Sequence, residues 1–364
     1  MKYTRLNKST TKASFIDDEK NVPYAQSDVV MLGVACDLTA SYNKGAWHGP
    51  HAIIDASYQV EYATPGFHIP LTDKVHIHNF GILECIKSVD ACGVLIEHPH
   101  EKIKRAMDAM VQKTEKISER VLRDDKFLML FGGDHSVPNG VWNAMETVYG
   151  KDVTILQFDG HLDLRDELEG FRYSHACIMR RARDKGFRVV QVGPRDHISE
   201  EEADYVKMHR LQDDIYFCAT QPEEFYQRFN KRIRNGGVIN PSQLIRHGEL
   251  NKGQLASLED KIARAEHLWI SIDVDGLDAS HIPGTGTPLP LGLSRSGMRN
   301  AIYHAIRAAQ ANRVHIVGFD INEVSPQLKK EGPYSPMNTV TTMNEMDAAL
   351  LAYNILFWNY IDRF

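Results

Sequence analysis

The 364-residue sequence predicts an α/β fold: a single three-layer αβα domain on a doubly wound, mostly parallel sheet of about eight strands. Three observations carry that expectation. Short apolar runs rich in β-branched residues alternate with longer segments of helical periodicity. Three of those runs end in glycine and clustered acids, as buried strands do when a sheet gathers its functional groups at its carboxyl edge. No internal repeat or low-complexity linker divides the chain, so 1–364 reads as one domain. Residues 1–26 form a loose polar arm or a strap over a neighbouring subunit.

In order, Val29–Val34 is the first expected strand. Asp37 and a turn-rich stretch from Ser41 to Pro50 follow, with Gly45 and Gly49 flanking Trp47. That spacing suits a loop near a pocket or a plain surface turn equally. A helix is expected over Ile53–Tyr62 and a strand over Val75–Leu83, whose His76 and His78 read as structural histidines. Between Pro99 and Arg123, apolar residues at Ile103, Met107, Met110, Ile117 and Val121 have helical spacing. Strand Phe127–Phe131, helix Pro138–Val148, strand Val153–Phe158, helix Ser174–Asp184 and strand Arg188–Val192 continue the alternation. Ser199–Arg234 reads as polar and helical, and Gly253–Arg264 leads into a strand around Trp269–Asp275. Ser294–Ala311, Val314–Phe319 and Met343–Tyr360 close the chain as helix, strand and helix.

The chemistry sits where three strands end. In Trp269-Ile270-Ser271-Ile272-Asp273-Val274-Asp275-Gly276, pleating would put Ser271, Asp273 and Asp275 on one face. Two neighbouring carboxylates on a buried face repel each other and are costly to desolvate, and a cation resolves both problems. Asp159-Gly160-His161-Leu162-Asp163 repeats the device: an extended backbone would align Asp159, His161 and Asp163. The third run ends in Gly132-Gly133-Asp134-His135-Ser136. Together the four aspartates (159, 163, 273, 275) and two histidines (135, 161) are donors enough for two metal ions.

Composition narrows the function from the other side. A formal charge of −6, a pI near 6.3 and the lack of a Lys/Arg block argue against a nucleic-acid surface. No run reaches the length of a membrane span, and the polar N-terminus lacks a signal peptide's apolar core. Cys36, Cys85, Cys92, Cys177 and Cys218 are odd in number and lack CxxC spacing, which fits reduced thiols in the cytoplasm and offers no thiolate metal site.

The three motifs, 132–136, 159–163 and Ser271-Ile272-Asp273-Val274-Asp275-Gly276-Leu277-Asp278, resemble the signatures of the ureohydrolases, the arginase and agmatinase superfamily. The resemblance extends to Gly45…Gly49-Pro50 and to Gly318–Pro326, covering roughly residues 30–345, and is closest to the agmatinases. It implies two divalent ions, Mn²⁺ first and Ni²⁺ as the alternative. One ion would take His135, Asp159, Asp163 and Asp273, the other Asp159, His161, Asp273 and Asp275, with Asp159 and Asp273 bridging. The activity implied is attack of an ion-stabilised hydroxide on a guanidino carbon, releasing urea and an amine. His175 matches the proton shuttle, Glu323 the carboxylate that grips the guanidinium, and Asp320 its supporting acid. Asp163 joins His175 and Glu323 in the implied catalytic set, and Trp47 is a candidate substrate contact. The implied partners are a small guanidino substrate and further copies of the chain, a trimer or hexamer, with a related subunit as a variant.

The sequence also departs from the family. Gly160 replaces the usual alanine, Asp278-Ala279 replaces Asp-Pro, and Arg165 replaces the asparagine that contacts the amino-acid head of arginine in arginases. Arginine is therefore disfavoured as substrate. The stretch 199–251 reads as an extended insertion over the pocket or a subunit contact. The alternatives are a nickel-dependent hydrolase of guanidine, a guanidino acid or a biguanide, then a non-catalytic partner subunit, and more distantly a deacetylase on the same architecture. A silent subunit would lack ligands, and none is missing.

Overall fold

The computed structural model describes residues 2–4, 15–61, 63–64, 66–89, 95–195, 198–326 and 343–364. Its strands are β1 (Lys2–Thr4), β2 (Val29–Ala35), β3 (Ile77–Glu84), β4 (Phe127–Phe131), β5 (Val153–Phe158), β6 (Arg188–Val192), β7 (Ile215–Tyr216), β8 (His267–Asp273) and β9 (His315–Asn322). The helices are α1 (Gly49–Ser57), α2 (His100–Arg123), α3 (Asn139–Tyr149), α4 (Ile178–Asp184), α5 (Glu200–Met208), α6 (Glu223–Gly236), α7 (Lys252–Ala263), α8 (Arg295–Ala311) and α9 (Met343–Asn359). The fold class is the expected one, α/β and mostly parallel: β1 alone among the described strands pairs antiparallel. Two compact units share the chain, one of residues 1–150, 284–287 and 317–364, the other of 151–283 and 288–316.

In the first unit the strands run β1-β3-β2-β4-β9. Every residue of β2 and β4 is buried, the pattern of a parallel strand covered on both faces, and it explains their unbroken apolar runs. Helix α2 buries Met107, Met110, Val111, Val121 and Leu122, each worth about 1.5–3 kcal/mol when fully removed from water. It packs tightly on α3, because a Cβ on Gly140 would lie 2.5 Å from the Val111 carbonyl oxygen. Helix α1 starts four residues before the expected Ile53, since Pro50 has the backbone geometry of a first turn. Its end at Ser57 falls short of the expected Tyr62, which lies outside the described residues. The N-terminal arm contributes more than a polar strap: Lys2–Thr4 pairs with Ile82–Glu84, Phe15 and Ile16 are buried, and Ile16 N–H donates to Ser57 Oγ at 2.8 Å.

The second unit orders its strands β8-β5-β6-β7, all parallel. The span expected to be helical over 199–234 breaks in the middle, where Ile215 and Tyr216 add a two-residue edge strand to β6. Helix α5 opens with a capping box in which Ser199 Oγ accepts from Glu202 N–H and Glu202 reaches back to Ser199 N–H. Asn251 and Gln254 repeat the arrangement at α7, each cap contributing about 1 kcal/mol.

Candidate metal centre

The acids of the second unit gather by turns rather than by pleat alternation. Strand β5 stops at Phe158, and the segment after it is not extended: Asp163 has φ +55°. Asp159 Oδ1 instead accepts the His161 N–H at 2.6 Å, folding the imidazole back toward its own motif. Strand β8 likewise ends at Asp273, and a 3₁₀ turn over Val274–Gly276 carries Asp275. Asp273 Oδ1 accepts the Asp275 N–H at 2.9 Å, and Asp275 Oδ1 accepts the Gly160 N–H at 2.9 Å. Glycine is required at 276, since a Cβ there would sit 2.8 Å from Asp159 N. Asp159, His161 and Asp275 each present a donor atom, all within 4.8 Å of one another.

The electrostatics around these groups favour a nearby positive charge. Asp159 and Asp275 are each 1% exposed, so their charges need compensation. Burial of His161 favours the neutral ring, but Asp275 and Asp159, with oxygens 3.1 and 3.4 Å from Nδ1, outweigh it and raise its pKa well above the usual imidazole value. Two buried carboxylates and an imidazole fit a borderline divalent ion. Asp273 and Asp163 are also buried.

Two residues passed over in the sequence support this cluster. Gln157 Nε2 donates to Asp159 Oδ2 at 2.7 Å, and Gln191 Nε2 donates to Gln157 Oε1 at 2.6 Å and to the Leu162 carbonyl at 2.8 Å. This amide relay aims the second Asp159 oxygen. The available signal was a glutamine one residue before the end of each of two largely apolar strands.

His175 is half-buried in a 3₁₀ turn ahead of α4, with Ser174 Oγ 3.2 Å from its Nδ1. The Asp163 carbonyl accepts from Met179 and Arg180 N–H at 3.2 and 3.1 Å, joining the end of the second motif to α4. The arginines after that motif are mostly engaged within the chain. Arg181 is buried and pairs with Asp166 and Asp184 at 2.6 and 3.1 Å, and Arg172 meets Asp166 at 3.1 Å. Arg180 lies 4.0 Å over the Tyr205 ring, and Arg165 is 4.0 Å from Glu202. Burial pushes the Cys177 and Cys218 thiols up to about 12, the condition of inert packed sulfur. Cys92 lies outside the described residues.

The first unit holds the remaining candidates. Asp134 organises its motif by accepting from Thr39 N–H at 2.9 Å, Thr39 Oγ1 at 2.8 Å, Ser136 N–H at 3.1 Å and the Ser136 hydroxyl. His135, 1% exposed, donates its N–H to Glu323 Oε1 at 2.9 Å, and its Nε2 lies 4.0 Å from Asp320 Oδ1. Asn322 Nδ2 donates to that same Asp320 oxygen. Glu323 follows β9 with φ +65°, a conformation costing a non-glycine residue on the order of 1 kcal/mol. Trp47 is buried, its indole N–H donating to the Cys85 carbonyl at 3.1 Å and Lys87 lying 4.4 Å over its ring.

Known proteins place this chain. The arginase family matches residues 27–239 and 227–351. N(1)-aminopropylagmatine ureohydrolase of Synechocystis sp. is 29% identical over 350 residues, spanning 96% of this chain and 95% of that protein. The protein of the same name from Thermus thermophilus is 30% identical over 313 residues, spanning 85% and 86%. The agmatine ureohydrolase of Thermoplasma volcanium shares the fold, with a TM-score of 0.65 at 23% identity over 96% of this chain and 94% of its own. Among the described residues no helix is long and apolar enough to cross a membrane. The chain belongs to the arginase family, and is an agmatinase-like hydrolase of C–N bonds.

Proposed function

We propose that this chain hydrolyses the guanidino group of a small amine, agmatine or its N1-aminopropyl derivative, to urea and the corresponding amine. The observation carrying the reading is the convergence of Asp159, His161 and Asp275 donor atoms within 4.8 Å. Two ions are proposed, Mn²⁺ before Ni²⁺: one held by His135, Asp159, Asp163 and Asp273, the other by Asp159, His161, Asp273 and Asp275. When bound, such ions supply the Lewis acidity that makes water a nucleophile near neutral pH. Glu323 then grips the guanidinium by charge-assisted hydrogen bonds, with Asp320 beside it, and His175 protonates the departing amine nitrogen. Trp47 is proposed to shape the wall of the pocket. The same proposal has the chain acting as one catalytic domain in a cytoplasmic homo-oligomer, a trimer or hexamer.

Both curated relatives described above carry aminopropylagmatine in their names, which favours a substrate bearing a second amine. Urea release tests this directly, with metal-free protein supplied with Mn²⁺ or Ni²⁺ and offered aminopropylagmatine, agmatine, guanidinobutyrate, guanidine, arginine and biguanides. Turnover of the first two with Mn²⁺ supports the proposal. Turnover confined to guanidine, a guanidino acid or a biguanide with Ni²⁺ replaces it, and no urea from any pair overturns it.

A further inference from the structure

Behind the carboxylate cluster of the second unit lies a buried cation that none of these roles uses. Arg195, 8% exposed, follows β6 and donates its own N–H to the Gly160 carbonyl at 3.0 Å. Its guanidinium meets backbone carbonyls: Nε donates to Pro290 at 2.9 Å, Nη1 to Gly193 at 3.2 Å, and Nη2 to Asp275, Leu277 and Leu289 at 2.7, 3.0 and 2.8 Å. A buried guanidinium ordinarily pairs with a carboxylate. Among the described residues all its hydrogen-bond acceptors are carbonyls, drawn from three separate segments.

The cradle fits closely around two glycines. A Cβ on Gly292 would lie 2.7 Å from Nη2, and one on Gly160 would lie 2.9 Å from Nη1 and 3.0 Å from Asp275 Oδ1. Two of the acceptors are the carbonyls of Asp275, inside the turn that presents its carboxylate, and of Leu277, directly after it. Asp275 is therefore held at its N–H by Asp273 Oδ1, at its carbonyl by Nη2 and at Oδ1 by the Gly160 N–H, with Oδ2 3.1 Å from His161 Nδ1.

We propose that Arg195 is the positioning residue of Asp275, clamping the turn after β8 so that the carboxylate faces the ion. This rests on Asp159, His161 and Asp275 holding a divalent ion, and it concerns geometry rather than charge. A lysine would keep the charge, yet its single ammonium cannot span five carbonyls.

The test is calorimetric Mn²⁺ binding to full-length wild type, Arg195→Lys and Arg195→Gln, with melting curves of the metal-free proteins. Both variants are expected to lose about 10–100-fold in affinity for one of the two ions, as supporting partners of metal ligands do, and to keep the other. A merely structural role would lower Tm and leave the ratio of the two affinities unchanged, which overturns the proposal. Should Arg195→Lys fail to fold, Arg195→Gln decides by the same readout, since its amide still donates to part of the carbonyl set. A wild type that binds no Mn²⁺ removes the metal centre itself. A two-ion wild type with unaltered variants removes only the role of Arg195.

Discussion

Glu323→Gln is the substitution that separates substrate recognition from metal binding. Glu323 is 3% exposed, and its Oε1 accepts the His135 N–H at 2.9 Å. The amide keeps the shape and that acceptor but discards the charge. Removing one partner of a buried, hydrogen-bonded charge pair costs about 2–5 kcal/mol. Because the glutamine oxygen still accepts, the low end applies, a fall in kcat/KM of roughly 30-fold or more. The neutral hydrogen bond to His135 weakens by about 1 kcal/mol, a few degrees in Tm at most. Steady-state urea release, metal analysis and a melting curve together read the outcome. Two ions retained with kcat/KM depressed is the expected combination. Unchanged kcat/KM would refute the recognition role, and loss of metal in parallel with activity would make Glu323 part of the metal centre instead.

Other perturbations probe different links. Asp273→Asn should abolish turnover and lower metal content, so wild-type activity in that variant would contradict the centre. Burial, reinforced by Lys87, lowers the pKa of His48 and of His51 from 6.5 to about 4, keeping both rings neutral in the fold. The unfolded chain takes up these protons first, so their contribution is present above pH 6.5 and lost as pH falls toward 4, with a ceiling of roughly 3 kcal/mol each. Urea unfolding at pH 7 and pH 4.5 should show that loss, and a His48→Asn, His51→Asn protein should show a flatter dependence. In Gly133→Ala a Cβ would fall 1.7 Å from the Cys36 carbonyl oxygen, a backbone clash expected to cost about 4 kcal/mol or more. Gly150→Ala, at φ +67° with nothing within 4 Å of the added atom, should cost about 1 kcal/mol by the same unfolding assay.

The sheet was legible because β2 and β4 are buried along their length, and burial writes itself as unbroken apolar runs. Strand β7 was not, since two residues carry no periodicity and its pairing with β6 is a tertiary event. The acids were legible as residue types at strand ends, but their arrangement was not. Alternation supposes an extended backbone, whereas the left-handed Asp163 and the 3₁₀ turn at Val274–Gly276 answer to local hydrogen bonds. The expected helix start at Ser199 held because a capping box with Glu202 fixes the beginning of α5 there.

Anomalous diffraction from a crystal grown in Mn²⁺, collected on both sides of the manganese edge, puts the metal centre to the most direct test. Two peaks about 3.5–4 Å apart are expected, the usual spacing of a paired-ion hydrolytic site, with Asp159 and Asp273 touching both and His161 and Asp275 on one ion only. A map without manganese beside Asp159, His161 and Asp275 would contradict it.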